Sequence, residues 1–254
     1  MKSEKGMFSE VNSSKLDLPE YSGDVTSYII ASTPRCGSTL LGHLLWKSGI
    51  AGAPHEYFHP SHASDYYSRW ECQSHQGYIN LLKRWRTSSN GFFGIKLHYY
   101  QINEFGLDIH SIKTLLDEPK YIFLRRKTKI RQAISLVKAV QTNQYALQPG
   151  EFLANAEYDF NSIREQLIRL INEENKWEEY FTKNNISPLV VWYEDLANNY
   201  ANILKRIYEY LGIDELEAKI PEPSLRKMSD ATTEEWVKKF NYDMEIFNKK
   251  NNKL

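Results

Sequence analysis

Residues 28–48 restrict what this chain can fold into more than any other segment. Tyr28-Ile29-Ile30-Ala31 is a short apolar run with polar residues on either side, the pattern of a strand buried on both faces. From Ser38 to Ser48 the period changes, and Leu40, Leu41, Leu44 and Leu45 recur at helical spacing. Ser32-Thr33-Pro34-Arg35-Cys36-Gly37-Ser38-Thr39 joins the two. A strand that turns sharply into a helix gathers backbone N–H groups and the positive helix end around one point, which suits an anion. The plainer alternative is an ordinary turn with Ser38 as a helix N-cap.

This turn is not a Walker loop, which needs two glycines with a Lys after the second. Here Gly37 stands alone and the basic residue, Arg35, precedes it. Cys36 sits at a helix start beside Arg35, where a thiol can be activated. A phosphatase loop would place an Arg six positions later, where this chain has Gly42, so Cys36 reads as a loop-packing residue.

The alternation of strand and helix continues. Gly94 to His98, preceded by Phe92-Phe93, reads as a strand; Ser111 to Leu116 as a short helix; Tyr121 to Leu124 as a strand. Helical patterns follow at about 128–146 and 161–183, then a strand at Leu189-Val190-Val191-Trp192 and a helix from Ala201 to Leu211 ending at Gly212. Strands alternating with helices predict an α/β protein of three layers, a central parallel sheet flanked by helices. The expected organisation is a flexible N-terminal arm over residues 1–24, a single domain over 25–245, and a frayed tail over 246–254.

Charge and composition narrow the function. The 32 Lys and Arg are matched by 32 Asp and Glu, so a dedicated nucleic-acid binder is not indicated. There is no 18-residue apolar run and no apolar leader core, so neither membrane insertion nor export is expected. Two widely spaced cysteines make no disulfide framework and fit a reducing cytoplasm.

His55-Glu56-Tyr57-Phe58-His59 matches the HExxH zinc pattern, which works only on a continuous helix. Gly52, Pro54 and Pro60 surround it, and prolines so placed prevent two full turns of helix, so no metal is expected. Glu56 keeps another interest. Among aromatic residues, burial would raise its pKa toward that of a general base.

Between Pro119 and Gly150 lie seven basic residues, Lys120, Arg125, Arg126, Lys127, Lys129, Arg131 and Lys138, and no acidic one. Such a run is commonly a solvated helix face. Arg125 and Arg126, however, follow a strand, and ligands of open α/β sheets bind at the carboxyl ends of strands. The Pro34-Arg35-Cys36-Gly37 turn follows another strand, so one crevice would hold two anion sites, as a nucleotide with phosphates at both ends requires.

Taken together, the ordered set Ser32-x-Pro34-Arg35-Cys36-Gly37-Ser38-Thr39, Pro54-x-Glu56-Tyr57-Phe58, Gly94-x-Lys96-Leu97, Arg126 with Arg131 through Thr142, and Glu234-Glu235-Trp236 resembles the bacterial sulfotransferases of the trehalose 2-sulfotransferase type. The resemblance covers roughly residues 26–245. It implies a P-loop NTPase-like sulfotransferase fold and the donor 3′-phosphoadenosine-5′-phosphosulfate (PAPS), with no metal. The family's 5′-phosphosulfate loop falls on Arg35, Cys36, Gly37, Ser38 and Thr39, with Arg35 catalytic, and its 3′-phosphate pair on Arg126 and Ser135. Lys96 matches the Lys of the family's Gly-x-Lys strand and Glu56 the general base. Lys96-Leu97-His98 also resembles the Lys-x-His of cytosolic sulfotransferases, which makes His98 the rival base.

By the same resemblance the enzyme would be a cytoplasmic homodimer sulfating a hydroxyl or amine of a carbohydrate, glycolipid or natural product. Pro54, His55, Tyr57, Phe58 and Tyr99 would line the acceptor site, although such rings serve a core or a subunit interface equally well. Ala53 stands where the family often has a Glu near its acceptor sugar. The competing readings are a P-loop small-molecule kinase, a zinc hydrolase and a non-catalytic nucleotide binder.

Overall fold

A computed structural model of the chain describes residues 14–145, 154–214, 220–223 and 231–251. Four strands form one sheet: β1 (Thr26–Ser32), β2 (Phe92–His98), β3 (Lys120–Arg125) and β4 (Leu189–Trp192). Their order is β2-β1-β3-β4, and every neighbouring pair is parallel. Chain order therefore reverses between β1 and β3, and such a switch point opens a crevice at the carboxyl ends of the strands.

Each strand shows alternate residues to opposite faces. Tyr28, Ile30, Ile122 and Leu124 pack against α1 (Ser38–Ser48) and α9 (Tyr200–Leu211). Ile29, Ala31, Phe93, Ile95, Tyr121 and Phe123 face the other layer. That layer contains α2 (Pro60–Arg69), α3 (His75–Arg86), α4 (Tyr99–Glu104), α5 (Ile109–Leu115) and α7 (Phe160–Lys183). In α1 the face Leu41, Leu44 and Leu45 is fully buried, worth about 1.5–3 kcal/mol for each side chain. A third core joins α6 (Lys129–Thr142) and α7 to α10 (Ala231–Asn251) through Ile134, Val137, Ile163, Trp236 and Phe240. A short helix, α8 (Tyr193–Asn198), follows β4 directly.

The predicted three-layer architecture is present, with two differences at its edges. The arm expected as far as residue 24 is anchored from Ser14 onward. Leu16 is buried, the Leu18 and Tyr21 amides donate to carbonyls of α3, and Asp17 pairs with Arg69 and Arg86. At the other end, helix α10 continues to Asn251, beyond the expected boundary at 245. Residues 1–13 and 252–254 of the predicted arm and tail, and Ala146 of the helix placed at 128–146, lie outside the described residues. Among the described residues, no helix is long and apolar enough to cross a membrane.

Candidate functional site

Two clusters of side chains meet at the carboxyl ends of β1, β2 and β3. The first is built on the turn between β1 and α1. Arg35 and Gly37 both have positive φ, 64° and 90°; at Gly37 a Cβ would fall 2.4 Å from the Tyr193 ring, so only glycine fits. Gly37 is also the N-cap of α1 and supplies no side-chain acceptor, which leaves the amides of that first turn without a side-chain cap. Gln132 of α6, fully buried, fastens the turn through Thr33 Oγ1 at 2.8 Å and the Pro34 carbonyl at 2.6 Å.

Arg35 and Arg126 converge here. Arg35 Nε donates to Ser135 Oγ at 3.0 Å, a second nitrogen donates to the Tyr145 carbonyl, and Arg126 donates to the Arg35 carbonyl at 3.0 Å. The Arg126 guanidinium lies 4.7 Å from the centre of the Tyr193 ring. These hydrogen bonds end on hydroxyl and carbonyl oxygens. Burial first, and the neighbouring Arg126 charge second, bring the Arg35 pKa down to about 10; burial lowers Arg126 as well. Two buried guanidinium groups thus lie side by side, and a bound anion would stabilise the charge of both.

The second cluster sits on β2. The His55 backbone pairs with Ile95, and the Lys96 amide donates to the His55 carbonyl at 2.9 Å, which places Glu56 beside β2. Lys96 and His98, two residues apart on a strand, share a face. Lys96 Nζ lies 2.5 Å from Glu56 Oε1 and 3.0 Å from Thr39 Oγ1 of α1. His98 Nε2 is 3.7 Å from the same Glu56 oxygen, while its Nδ1 is 3.0 Å from Ser32 Oγ. Gln101 of α4 donates to Glu56 Oε2 at 2.7 Å, and its own Oε1 accepts from the His98 amide at 3.0 Å.

Burial alone would raise the Glu56 pKa, as the sequence suggested. The charges of Lys96 and His98, the Lys96 hydrogen bond and His62 outweigh it, and the carboxyl is held well below the usual range. The expectation of a raised carboxylate is therefore corrected: a cation lies against it. His98 is pushed down to about 4, chiefly by burial.

The basic run is also different in space from its look in sequence. Arg125 pairs with Glu174 and Glu178 at 2.7 Å each, Lys127 with Asp195 at 2.9 Å, Lys129 with Glu174, and Arg131 with Glu234. Acids of α7, α8 and α10 answer four of the seven charges, Lys120 is held by the Tyr210 and Leu211 carbonyls and Lys138 by Thr233 Oγ1, and Arg126 lies beside Arg35. The Glu194 carboxylate accepts from the Lys127 amide at 3.1 Å and fixes the turn after Arg126.

Other predicted residues separate into structural ones and ones at the site. Tyr57 and Phe58 are fully buried in the core against Tyr66, Phe93 and Phe105, so they cannot line an acceptor surface. Pro54 is buried as well, and Tyr99 packs edge-on against Trp177. Cys36 is fully buried and its thiol pKa is raised by that burial. His55 and His59 share no helix: His55 lies in a β-bridge and His59 is the cap of α2. Among the described residues no three His, Cys, Asp or Glu are grouped to hold a metal ion.

Gln101, Gln132, Tyr193 and Glu194 had not been anticipated. Tyr193 follows a predicted strand directly, so the carboxyl-end rule could have found it. Gln132 gave no local signal because Thr33 and Pro34 are distant in sequence, and Gln101, although it caps the nearby His98 amide, meets Glu56 from 45 residues away.

A family model described as "Stf0 sulphotransferase" matches residues 27–243. A trehalose 2-sulfotransferase of Mycolicibacterium smegmatis is 27% identical over 259 residues, covering 86% of this chain and 95% of that protein. A trehalose 2-sulfotransferase of Mycobacterium tuberculosis is 26% identical over 254 residues, covering 85% and 94%. Among solved structures, the sulfotransferase domain of a Synechococcus olefin synthase matches with a TM-score of 0.42 at 20% identity, over 79% of this chain and 78% of that one.

Proposed function

Because the chain belongs to the Stf0 sulphotransferase family and is a sulfotransferase, we propose that it moves a sulfuryl group from PAPS to a hydroxyl of a small polyhydroxylated acceptor in the cytoplasm. One observation carries the donor assignment: Arg35, Arg126 and Ser135 meet in one desolvated cluster beside the open N-terminus of α1. A nucleotide with phosphate at both ends supplies charge to both. Its 3′-phosphate would sit on Arg126 and Ser135, and its 5′ end on the first turn of α1 with Ser38 and Thr39.

In the transfer, the acceptor oxygen forms a bond to sulfur as the bond between sulfur and the 5′-phosphate oxygen breaks. The acceptor proton goes to Glu56, and the electron pair of the broken bond stays on the phosphate. Positive groups and helix amides oppose the charge that develops on that oxygen. Glu56 is favoured over His98 as the base because Gln101 already aims its carboxylate. Arg35, directed at Ser135 and Tyr145, serves the nucleotide, and Lys96 is the cation at the transferring end.

The relatives carry trehalose in their names, and a sugar hydroxyl is the acceptor we favour, with Arg169 and Tyr100, whose centres lie 4.9 Å apart near His98, at its rim. A homodimer belongs to the same proposal and is read by sedimentation. Incubation with labelled PAPS and a panel of mono- and disaccharides should give a sulfated sugar and adenosine 3′,5′-bisphosphate. Transfer from ATP, or no nucleotide binding at all, would sink the donor assignment.

A further inference from the structure

We propose that Lys96 is an exchangeable clamp on Glu56, surrendered to the incoming donor anion so that the base is released only when the donor is in place. The proposal rests on the donor assignment above and adds an order of events to it.

The geometry is that of a group held between two partners. The Lys96 ammonium touches Glu56 Oε1 on one side and Thr39 Oγ1 on the other, at 2.5 and 3.0 Å. Thr39 lies in the first turn of α1, whose N-cap Gly37 offers no side-chain acceptor. An anion settling on those amides therefore arrives one hydroxyl away from the ammonium. A lysine is suited to such an exchange, since its compact charge ends a flexible stem and is not tied to a bidentate geometry. The carboxylate, by contrast, stays where it is when the lysine leaves. Gln101 holds Oε2, is fully buried, and is itself fixed by the His98 amide.

The groups facing Glu56 are Lys96 and His98 from β2, Tyr100 and Gln101 from α4, and His62 from α2. Burial lowers the pKa of both histidines, and Lys96 is the cation in direct contact with the carboxylate. With Lys96 turned to the donor, burial is the main influence left on Glu56, and burial favours the protonated acid. The acceptor hydroxyl can then pass its proton to Oε1 as its oxygen bonds to sulfur and the sulfur–oxygen bond to the phosphate breaks. Before donor binding the carboxylate is a weak base, so the acceptor gains nothing by arriving first.

The test is to titrate Glu56 by carbon-detected NMR of protein labelled at glutamate carboxyl carbons, with and without saturating adenosine 3′,5′-bisphosphate. The signal is assigned by its loss in Glu56→Gln. The bisphosphate should raise the proton affinity of Glu56 at least 10-fold, and Lys96→Met should show a raised affinity without any nucleotide. The paired wild-type titrations depend on no variant folding. A bisphosphate that binds but leaves the Glu56 titration unmoved overturns the clamp while the donor assignment stands. A bisphosphate that does not bind removes the donor assignment and the clamp with it.

Discussion

The turn between β1 and α1 and the carboxylate cluster on β2 are adjacent parts of one crevice, yet they carry their charge in opposite ways. On the turn, Arg35 and Arg126 lie together with hydrogen bonds to hydroxyl and carbonyl oxygens, and burial lowers the pKa of each. On β2, Glu56 is matched by Lys96 before any ligand arrives. The first region gathers two guanidinium groups, with Glu194 among the charges that act on Arg126; in the second a carboxylate and an ammonium already face one another. Under the proposed function the first region binds the donor and the second moves the proton, tasks that suit opposite resting electrostatics, and Thr39, hydrogen-bonded to Lys96 from α1, is where the two touch.

The sharpest way to break this contrast is Glu56→Gln. Turnover should fall about 10²–10⁴-fold, the usual worth of a positioned base, while calorimetry shows bisphosphate binding retained. If His98→Ala abolishes turnover and Glu56→Gln does not, the base is misassigned. Next in size is Arg126→Ala, which should weaken adenosine 3′,5′-bisphosphate about 10–100-fold and adenosine 5′-phosphate far less, as the loss of charge-assisted hydrogen bonds predicts. Equal losses for both ligands would move the 3′-phosphate elsewhere.

A smaller effect, on stability, is expected at Gly42, where a Cβ would stand 2.6 Å from the Pro54 carbonyl. This contact sets α1 against the segment carrying Glu56. Gly42→Ala should cost about 1–3 kcal/mol by overpacking, seen as a lower Tm, and should separate the two regions so that turnover falls more than nucleotide affinity.

Acid should act on the β2 side of the contrast. Burial holds His55 at about 3 and His98 at about 4, against an ordinary 6.5. The unfolded chain then binds protons first as pH falls, so these groups contribute stability that is present above pH 6.5 and is lost between 6.5 and their folded values. Urea midpoints should drop over that range, and His55→Phe should flatten the dependence. The smallest effect belongs to Arg125→Ala. It leaves Glu174 paired with Lys129, so Tm should fall slightly, by about 1 kcal/mol of stability, with nucleotide affinity unchanged. A large loss of affinity would put Arg125 in the binding site.

Much of the fold was legible because its signals are local. The four strands and α1, α6, α7 and α9 follow from apolar runs and helical spacing within the segments themselves. Helices α2 and α3 were not read: the buried face of α2 is His62, Ala63 and Tyr66, which look like binding surface in one dimension, and that of α3 mixes Tyr78, Ile79 and Leu82 with a buried Arg86. Tyr57 and Phe58 misled for the same reason.

The sequence by itself placed the Pro34-Arg35-Cys36-Gly37 turn and Arg126 at the carboxyl ends of strands in one α/β sheet, because period and the carboxyl-end rule are properties of short stretches, while Glu56 was singled out by its aromatic loop and by the family resemblance. Tertiary structure alone decided which partners these charges meet. Arg125 and Arg126 are consecutive, yet Arg125 meets Glu174 and Arg126 meets the Arg35 carbonyl. It likewise decided that Lys96 rests on Glu56. A charge is set by the residue that carries it, but its pKa and its availability are set by partners that only the packing of distant segments brings within a few ångströms.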